Sequence, residues 1–167
     1  VTGLSARRKR ELGLSHVPAD RNERGLVTSY SAAMNAVLGD VHRPPFSGRF
    51  GLLDGDRIEE HARSIIEEYD VRPAATSVIA AAYSGGNAQK LIVARELERD
   101  PQVLVLAQPT RGVDIGAIEF IHRQLIDARD EGLAVLLTGH QPGLASRLDA
   151  KELLLEGGRV KAAPTFA

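Results

Sequence analysis

The stretch Tyr83-Ser84-Gly85-Gly86-Asn87 holds the residue types best suited to gripping an anion. Paired glycines let backbone amides approach a ligand with no Cβ in the way. A helix starting near Gln89 adds unpaired N–H groups and a partial positive charge. The Ser84 hydroxyl is a further donor. Together they make a phosphate-binding edge, although a Ser-Gly-Gly turn before a helix is, by itself, usually only a turn. Asp114 precedes a long helical segment and reads as its N-cap. The five histidines (His16, His42, His61, His122 and His140) are widely spaced, with no HExxH or i,i+4 pair, so no metal site is expected. Arg7-Arg8-Lys9-Arg10 is a basic run and reads as a solvated helix face.

The elements that must carry these residues alternate along the chain, and no internal repeat is visible. Residues 6–12 suit a short charged helix and 14–17 a short strand stopped by Pro18. Residues 20–25 read as a polar loop and 32–38 as a short helix. Pro44, Pro45, Gly48, Gly51 and Gly55 then mark an irregular connector. Residues 56–69 place Ile58, Ala62, Ile65, Ile66 and Tyr69 on one helical face. Residues 87–99 form a second helix with a stripe of Leu91, Ile92, Ala94 and Leu97, ended by Pro101. The apolar runs 103–106 and 134–138 read as strands buried on both faces, with a helix over 115–129 between them. Residues 152–155 and 159–162 flank Gly157-Gly158 as a hairpin. The order predicts an α/β fold with a parallel sheet flanked by helices and a small C-terminal antiparallel hairpin.

The chain has 167 residues, 43% of them hydrophobic and 26% charged, which is enough apolar content for a core. Its net charge of −1 gives no electrostatic argument for a nucleic-acid partner. The absence of cysteine excludes disulfides and thiolate chemistry within it. No apolar run reaches the ~18–20 residues of a membrane helix. Val1-Thr2-Gly3-Leu4-Ser5 reads like the middle of a longer sequence, so the chain is expected to be a portion of one.

The order of these motifs resembles the ATP-binding cassette (ABC) ATPases, a family of P-loop NTPases, over about residues 2–160. Ser84-Gly85-Gly86-Asn87 matches the signature motif. Val103-Leu104-Val105-Leu106 matches the Walker B strand, Asp114 the D-loop acid and His140 the switch histidine. Gln89-Lys90-Leu91, Ala94-Arg95-Glu96-Leu97 and Gln108-Pro109-Thr110-Arg111-Gly112 are similar to the second of two fused cassettes in sugar and nucleoside importers. Val17-Pro18-Ala19-Asp20-Arg21 and Pro44-Pro45-Phe46 lean toward the nucleoside type. By this resemblance residues 30–100 form the helical and signature region. Residues 101–167 form the Walker B, D-loop and switch region.

The departures from the family pattern are chemical. No Gly-x-x-x-x-Gly-Lys-Ser/Thr loop occurs in the sequence. Ala107 and Gln108 stand where the family carries Asp-Glu, so one metal-linked acid is absent and the position of the general base holds a glutamine. Glutamine can orient a water but cannot take its proton. Ala19 replaces the Q-loop residue, Tyr83 the usual leucine and Ala88 the usual glutamine.

The resemblance implies an importer ATPase subunit that couples ATP hydrolysis to solute uptake. Its partners would be a second cassette, transmembrane permease subunits and, indirectly, a solute-binding protein, with no nucleic acid. It would work in the cytoplasm, at the inner face of the membrane. Gln108 and His140 would form an incomplete catalytic set. Ser84, Gly85, Gly86 and Asn87 would contact nucleotide in trans, with Asp114 at the interface. ATP and Mg²⁺ serve the family, and neither is expected to bind this chain alone. Two other readings stay open: a non-catalytic module lending its signature to a partner cassette, and a soluble ABC protein acting on nucleic acid. If the strand that neighbours residues 134–138 in the family is missing, an apolar sheet edge is exposed.

Overall fold

A computed structural model describes residues 2–139, 142–151, 153–157 and 159–162. The elements run α1 (Ala6–Glu11), β1 (Leu14–Val17), α2 (Ala32–Ala36), α3 (Gly55–Glu68), α4 (Gly85–Leu97), β2 (Val103–Ala107), α5 (Ile115–Asp130), β3 (Ala134–Thr138), α6 (Pro142–Arg147), β4 (Leu153–Glu156) and β5 (Arg159–Ala162). β1, β2 and β3 form a parallel sheet in that order, and β4 and β5 pair antiparallel. This is the α/β arrangement that the sequence predicts. The segment read as a loop instead forms a helical turn, Arg21–Gly25, because the Asp20 carboxylate accepts from the amides of Asn22 and Glu23, both at 3.0 Å.

Helix α4 is the centre. Gly86, Ala88, Gln89 and every residue from Leu91 to Glu96 are buried, so it is enclosed all round rather than along one stripe. α3 keeps the expected one-sided pattern, burying Ile58, Ala62, Ile65 and Ile66 and exposing Glu60, Arg63, Glu67 and Glu68. Two charged residues enter the core with α4: Glu96 is 0% exposed and Arg95 4%. The Glu96 carboxylate accepts from Arg95 Nε at 3.0 Å, from Arg10 Nη2 at 3.2 Å and from the His16 amide at 3.4 Å. Arg95 Nη1 donates to the Asn35 carbonyl at 3.2 Å. The Asn35 amide nitrogen in turn donates to the carbonyls of Val27, Tyr30 and Ser31. A buried charge is tolerated only when paired and hydrogen-bonded in this way.

The sheet corrects one expectation. The parallel register puts Ser15, Leu104 and Val135 in one row and Val17, Leu106 and Leu137 in the next, all on one face. Ser15, Val17, Leu104 and Leu106 are at most 1% exposed, and this face joins Ile121, Leu125, Leu144 and Leu148 in a single core. The opposite face carries His16, Val103 and Leu136, which are exposed, Val103 by 37% and Leu136 by 54%. β2 and β3 are therefore covered on one face only among the described residues. An unbroken apolar run does not distinguish covering on one face from covering on both. β3 is also the outer strand among the described residues, where it leaves an apolar edge.

Candidate functional site

Ser84 has extended backbone angles and caps α4. Its Oγ accepts from the Asn87 amide at 3.4 Å and from Asn87 Nδ2 at 2.9 Å. Such a cap contributes about 1 kcal/mol to the helix. The helix starts two residues earlier than the sequence pattern suggests, so Gly85 and Gly86 lie in its first turn, where amides have no intrahelical acceptor. The hydroxyl proton of the exposed Ser84 stays free to be donated outward. Asn87 is differently committed. Besides its bond to Ser84, its Oδ1 accepts the Arg72 amide at 2.7 Å, so both ends of the carboxamide are used within the chain.

Both glycines are there for close approach. A Cβ on Gly85 would stand 2.6 Å from Arg21 Nη2 and 2.9 Å from the Gly112 carbonyl oxygen. A Cβ on Gly86 would collide with the Asp114 carboxylate and sit 2.9 Å from Ala117 Cβ. Asp114 is the N-cap of α5, its Oδ1 accepting the Ala117 amide at 2.9 Å. The helix-cap reading of this residue therefore holds, and the cap brings the same carboxylate against the start of α4. A cleft of about 310 Å³ opens beside this contact, lined by Asp70, Asn87, Lys90, Asp114 and Phe120. Lys90 Nζ lies 4.5 Å from the Phe120 ring centroid and donates to the Asp70 carbonyl at 3.0 Å and its carboxylate at 3.2 Å. Hydrogen bonds from Arg72 and then Lys90 hold the Asp70 carboxyl below its ordinary pKa. Tyr83, in the usual leucine position, is buried and donates to the Pro73 carbonyl at 3.2 Å; burial pushes its phenol pKa up.

Gln108 stands at the end of β2 in the left-handed region, φ 50. Its amide donates to the Thr138 carbonyl at 2.9 Å, and its side-chain oxygen accepts from Arg111 Nη1 at 3.4 Å. A Cβ on the following strand's Gly139 would come within 3.1 Å of Gln108 Cγ. His140 lies outside the described residues. Among the described residues no cluster of three His, Cys, Asp or Glu is placed to hold a metal. Also among them, no helix is long and apolar enough to cross a membrane.

No family model matches the chain. A dimeric ATP-binding cassette in a post-hydrolysis state, bound to ADP and Pi, superposes with a TM-score of 0.73. That match covers 98% of this chain and 70% of the other at 20% identity, a likeness of fold. In sequence, the chain is 49% identical over 137 residues, 82% of its length, to the nucleoside import ATP-binding protein NupA of Lactococcus lactis subsp. cremoris. It is 41% identical over 160 residues, 96% of its length, to the guanosine import ATP-binding protein NupO of Bacillus subtilis. The chain belongs to the ATP-binding cassette family. It covers 27% and 31% of those two relatives, so it spans less than a third of their length.

Within this cassette chain the structure brings Ser84, Gly85, Gly86 and Asn87 together with Asp114, residues that lie far apart in sequence. Gln108, at the head of the loop that ends in Asp114, is hydrogen-bonded within it to Arg111. Arg21 was not singled out by the sequence reading, yet it reaches the centre of the arrangement. Its Nη1 donates to the Arg111 carbonyl at 2.8 Å and its Nη2 to the Gly112 carbonyl at 3.2 Å. The signal that could have found it is Asp20, a capping residue placed ahead of Arg-Asn-Glu-Arg-Gly.

Proposed function

We propose that this chain is the signature-bearing part of an importer ATP-binding subunit, and that it presents the start of α4 to the γ-phosphate of ATP held by a partner cassette. The observation that carries this is the edge at the start of α4: an exposed Ser84 hydroxyl beside the half-buried Gly85, whose first-turn amide has no intrahelical acceptor. Nearby, the Asn87 carboxamide and Asp114 Oδ1 are engaged within the chain. The solute class favoured is nucleosides, since relatives named for nucleoside and guanosine import align at 49% and 41% identity. A relative named for glucose import aligns at 44% and keeps sugars as the second class. Permease subunits at the cytoplasmic face of the membrane are the implied partners, with a solute-binding protein beyond them.

The residues present do not fit a complete Mg-ATP site. Ala107 offers no side-chain ligand where an acid would help to hold the metal. Gln108 cannot accept a proton from water, and its oxygen is engaged by Arg111. This favours a non-catalytic role for the chain's own half-site. Isothermal titration of the 167-residue chain with Mg-ATP is expected to show no micromolar site. Gln108→Glu is expected to leave phosphate release at background.

The deciding experiment is sedimentation or pull-down with a complete partner cassette in ATP and in ADP. Tighter binding in ATP is expected, on the order of 1.5–3 kcal/mol for a charge-assisted hydrogen bond. Ser84→Arg, which puts bulk and charge on the edge, abolishes the difference. Equal binding in both nucleotides, or a difference untouched by Ser84→Arg, overturns the reading.

A further inference from the structure

Three segments meet at one side of the signature edge: the turn Arg21–Gly25, the first residues of α4, and the loop running from Gln108 to Asp114. The turn is fixed at both ends. Asp20 caps its start. At its end a Cβ on Gly25 would stand 2.6 Å from Ile92 Cδ1, so the turn lies hard against α4. From this base the Arg21 guanidinium donates to two successive carbonyls, Arg111 and Gly112, with different nitrogens. It also fills the space a Gly85 side chain would take, 2.6 Å from Nη2. Gly112 has φ +65, which suits the sharp turn that aims both carbonyls at one cation.

We infer that Arg21 is a positioning residue for the cassette interface: it locks the loop carrying Asp114 against the start of α4, so that Ser84 and the glycine amides are held ready for a nucleotide on the partner. The inference rests on the proposed role of that edge. It goes beyond it in assigning the edge's geometry to a residue some sixty positions away, on a separate turn. The geometry favours a guanidinium. Two carbonyls in a row match two N–H donors held in one rigid fork on different nitrogens, whereas a lysine presents all its donors from a single nitrogen on a flexible stem. Without Arg21 the loop loses its only side-chain hydrogen bonds from outside residues 108–117 among the described residues.

The test compares Arg21→Ala, Arg21→Lys and, as control, Arg24→Ala at an exposed position of the same turn. Two readouts are taken on the whole chain. The first is amide hydrogen exchange at Arg111 and Ala117, whose N–H groups bond to the Gln108 carbonyl and the Asp114 carboxylate. The second is the ATP-over-ADP preference for a partner cassette. Arg21→Ala is expected to speed exchange at both amides about tenfold through local opening, with exchange in α3 unchanged, and to cut the ATP preference by a similar factor. Arg21→Lys should recover part of each, and Arg24→Ala should change neither. Unchanged exchange at Arg111 and Ala117 in Arg21→Ala overturns the inference while a wild-type ATP preference leaves the proposed function standing. Faster exchange in a chain whose wild type shows no ATP preference supports the anchoring and removes the function built on it. Full recovery by Arg21→Lys would show charge alone at work and would also overturn the inference.

Discussion

Around the start of α4, polar groups answer one another: Asn87 to Ser84 and Arg72, Asp114 to Ala117, Arg21 to two carbonyls. On the far face of the sheet, Val103 and Leu136 meet solvent, and β3 has no neighbour on its outer side among the described residues. One region is stitched from three distant stretches of chain and closed by glycines. The other is a strand surface that uses half of its apolar side chains. On the proposed reading the polar edge meets a nucleotide and so needs its shape set in advance, whereas an apolar face needs only something to cover it. Cassette structures with the same fold are matched over 57% to 70% of their own lengths, so those chains contain more than the part shared here.

The sharpest way to break the contrast lies beneath the stitched region. Glu96→Ala would leave Arg95 buried with its main ionic partner gone, and about 3–5 kcal/mol of stability should be lost in urea unfolding. A change under 1 kcal/mol would mean the cluster is dispensable. Next comes the closure itself. Gly86→Ala must push its new methyl past Ala117 Cβ and the Asp114 carboxylate. A cost of about 1–3 kcal/mol is expected from such overpacking, with faster exchange at the Ala117 amide. Ala at Gly143, where a Cβ meets open space, serves as the control.

A third measurement uses pH. Burial, and then the Arg147 charge, lowers the pKa of His122, with Glu119 opposing; burial also lowers that of His61, which packs 4.9 Å from Phe46. In the unfolded chain each takes up a proton near pH ~6.5, whereas the folded state accepts it only at lower pH. Their contribution is complete above that value and declines as pH falls below it toward the folded pKa. Stability should be flat from pH 7 to 8 and fall toward pH 5, with a shallower fall in His122→Leu. A rise in stability on acidification would contradict the burial argument. The smallest effect on stability belongs to the open face. Leu136→Lys should stay within about 0.5 kcal/mol of the parent, yet reduce self-association in sedimentation velocity, because a charge blunts an exposed apolar strand.

The same contrast shows what could be read in advance. Ile58, Ala62, Ile65 and Ile66 recur at helical spacing and lie on the buried face of α3, because a surface helix sorts its residues by solvent. α4 defeats that rule. It is enclosed all round, so Arg95 and Glu96 look like surface residues until Arg10, the His16 amide and Asn35 are found around them. The strands fail for a related reason: Val103 and Leu104 are equally apolar in sequence, but only Leu104 is covered. Of the candidate site, Ser84, Gly85 and Gly86 stood out by residue type and by their place ahead of a helix, although that turn alone does not tell a binding edge from a plain helix start. Arg21 did not, because its value comes from two backbone carbonyls some ninety positions away, which have no sequence signature.

Leu14 pairs with Val103, so the first strand must wait for the second through all the intervening chain. Closing so long a loop costs entropy before any ladder bond repays it, and parallel pairing of this kind is slow. α3, by contrast, is built from bonds four residues apart and can flicker into shape on its own. Glu96 ties the two timescales together. Its partner Arg10 lies on α1, ahead of β1, the His16 amide lies within β1, and Glu96 itself sits on α4 just ahead of β2. The β1–β2 ladder therefore carries the long loop-closure cost in this fold, and Glu96 is the side chain that ties the N-terminal segment to α4 beside it.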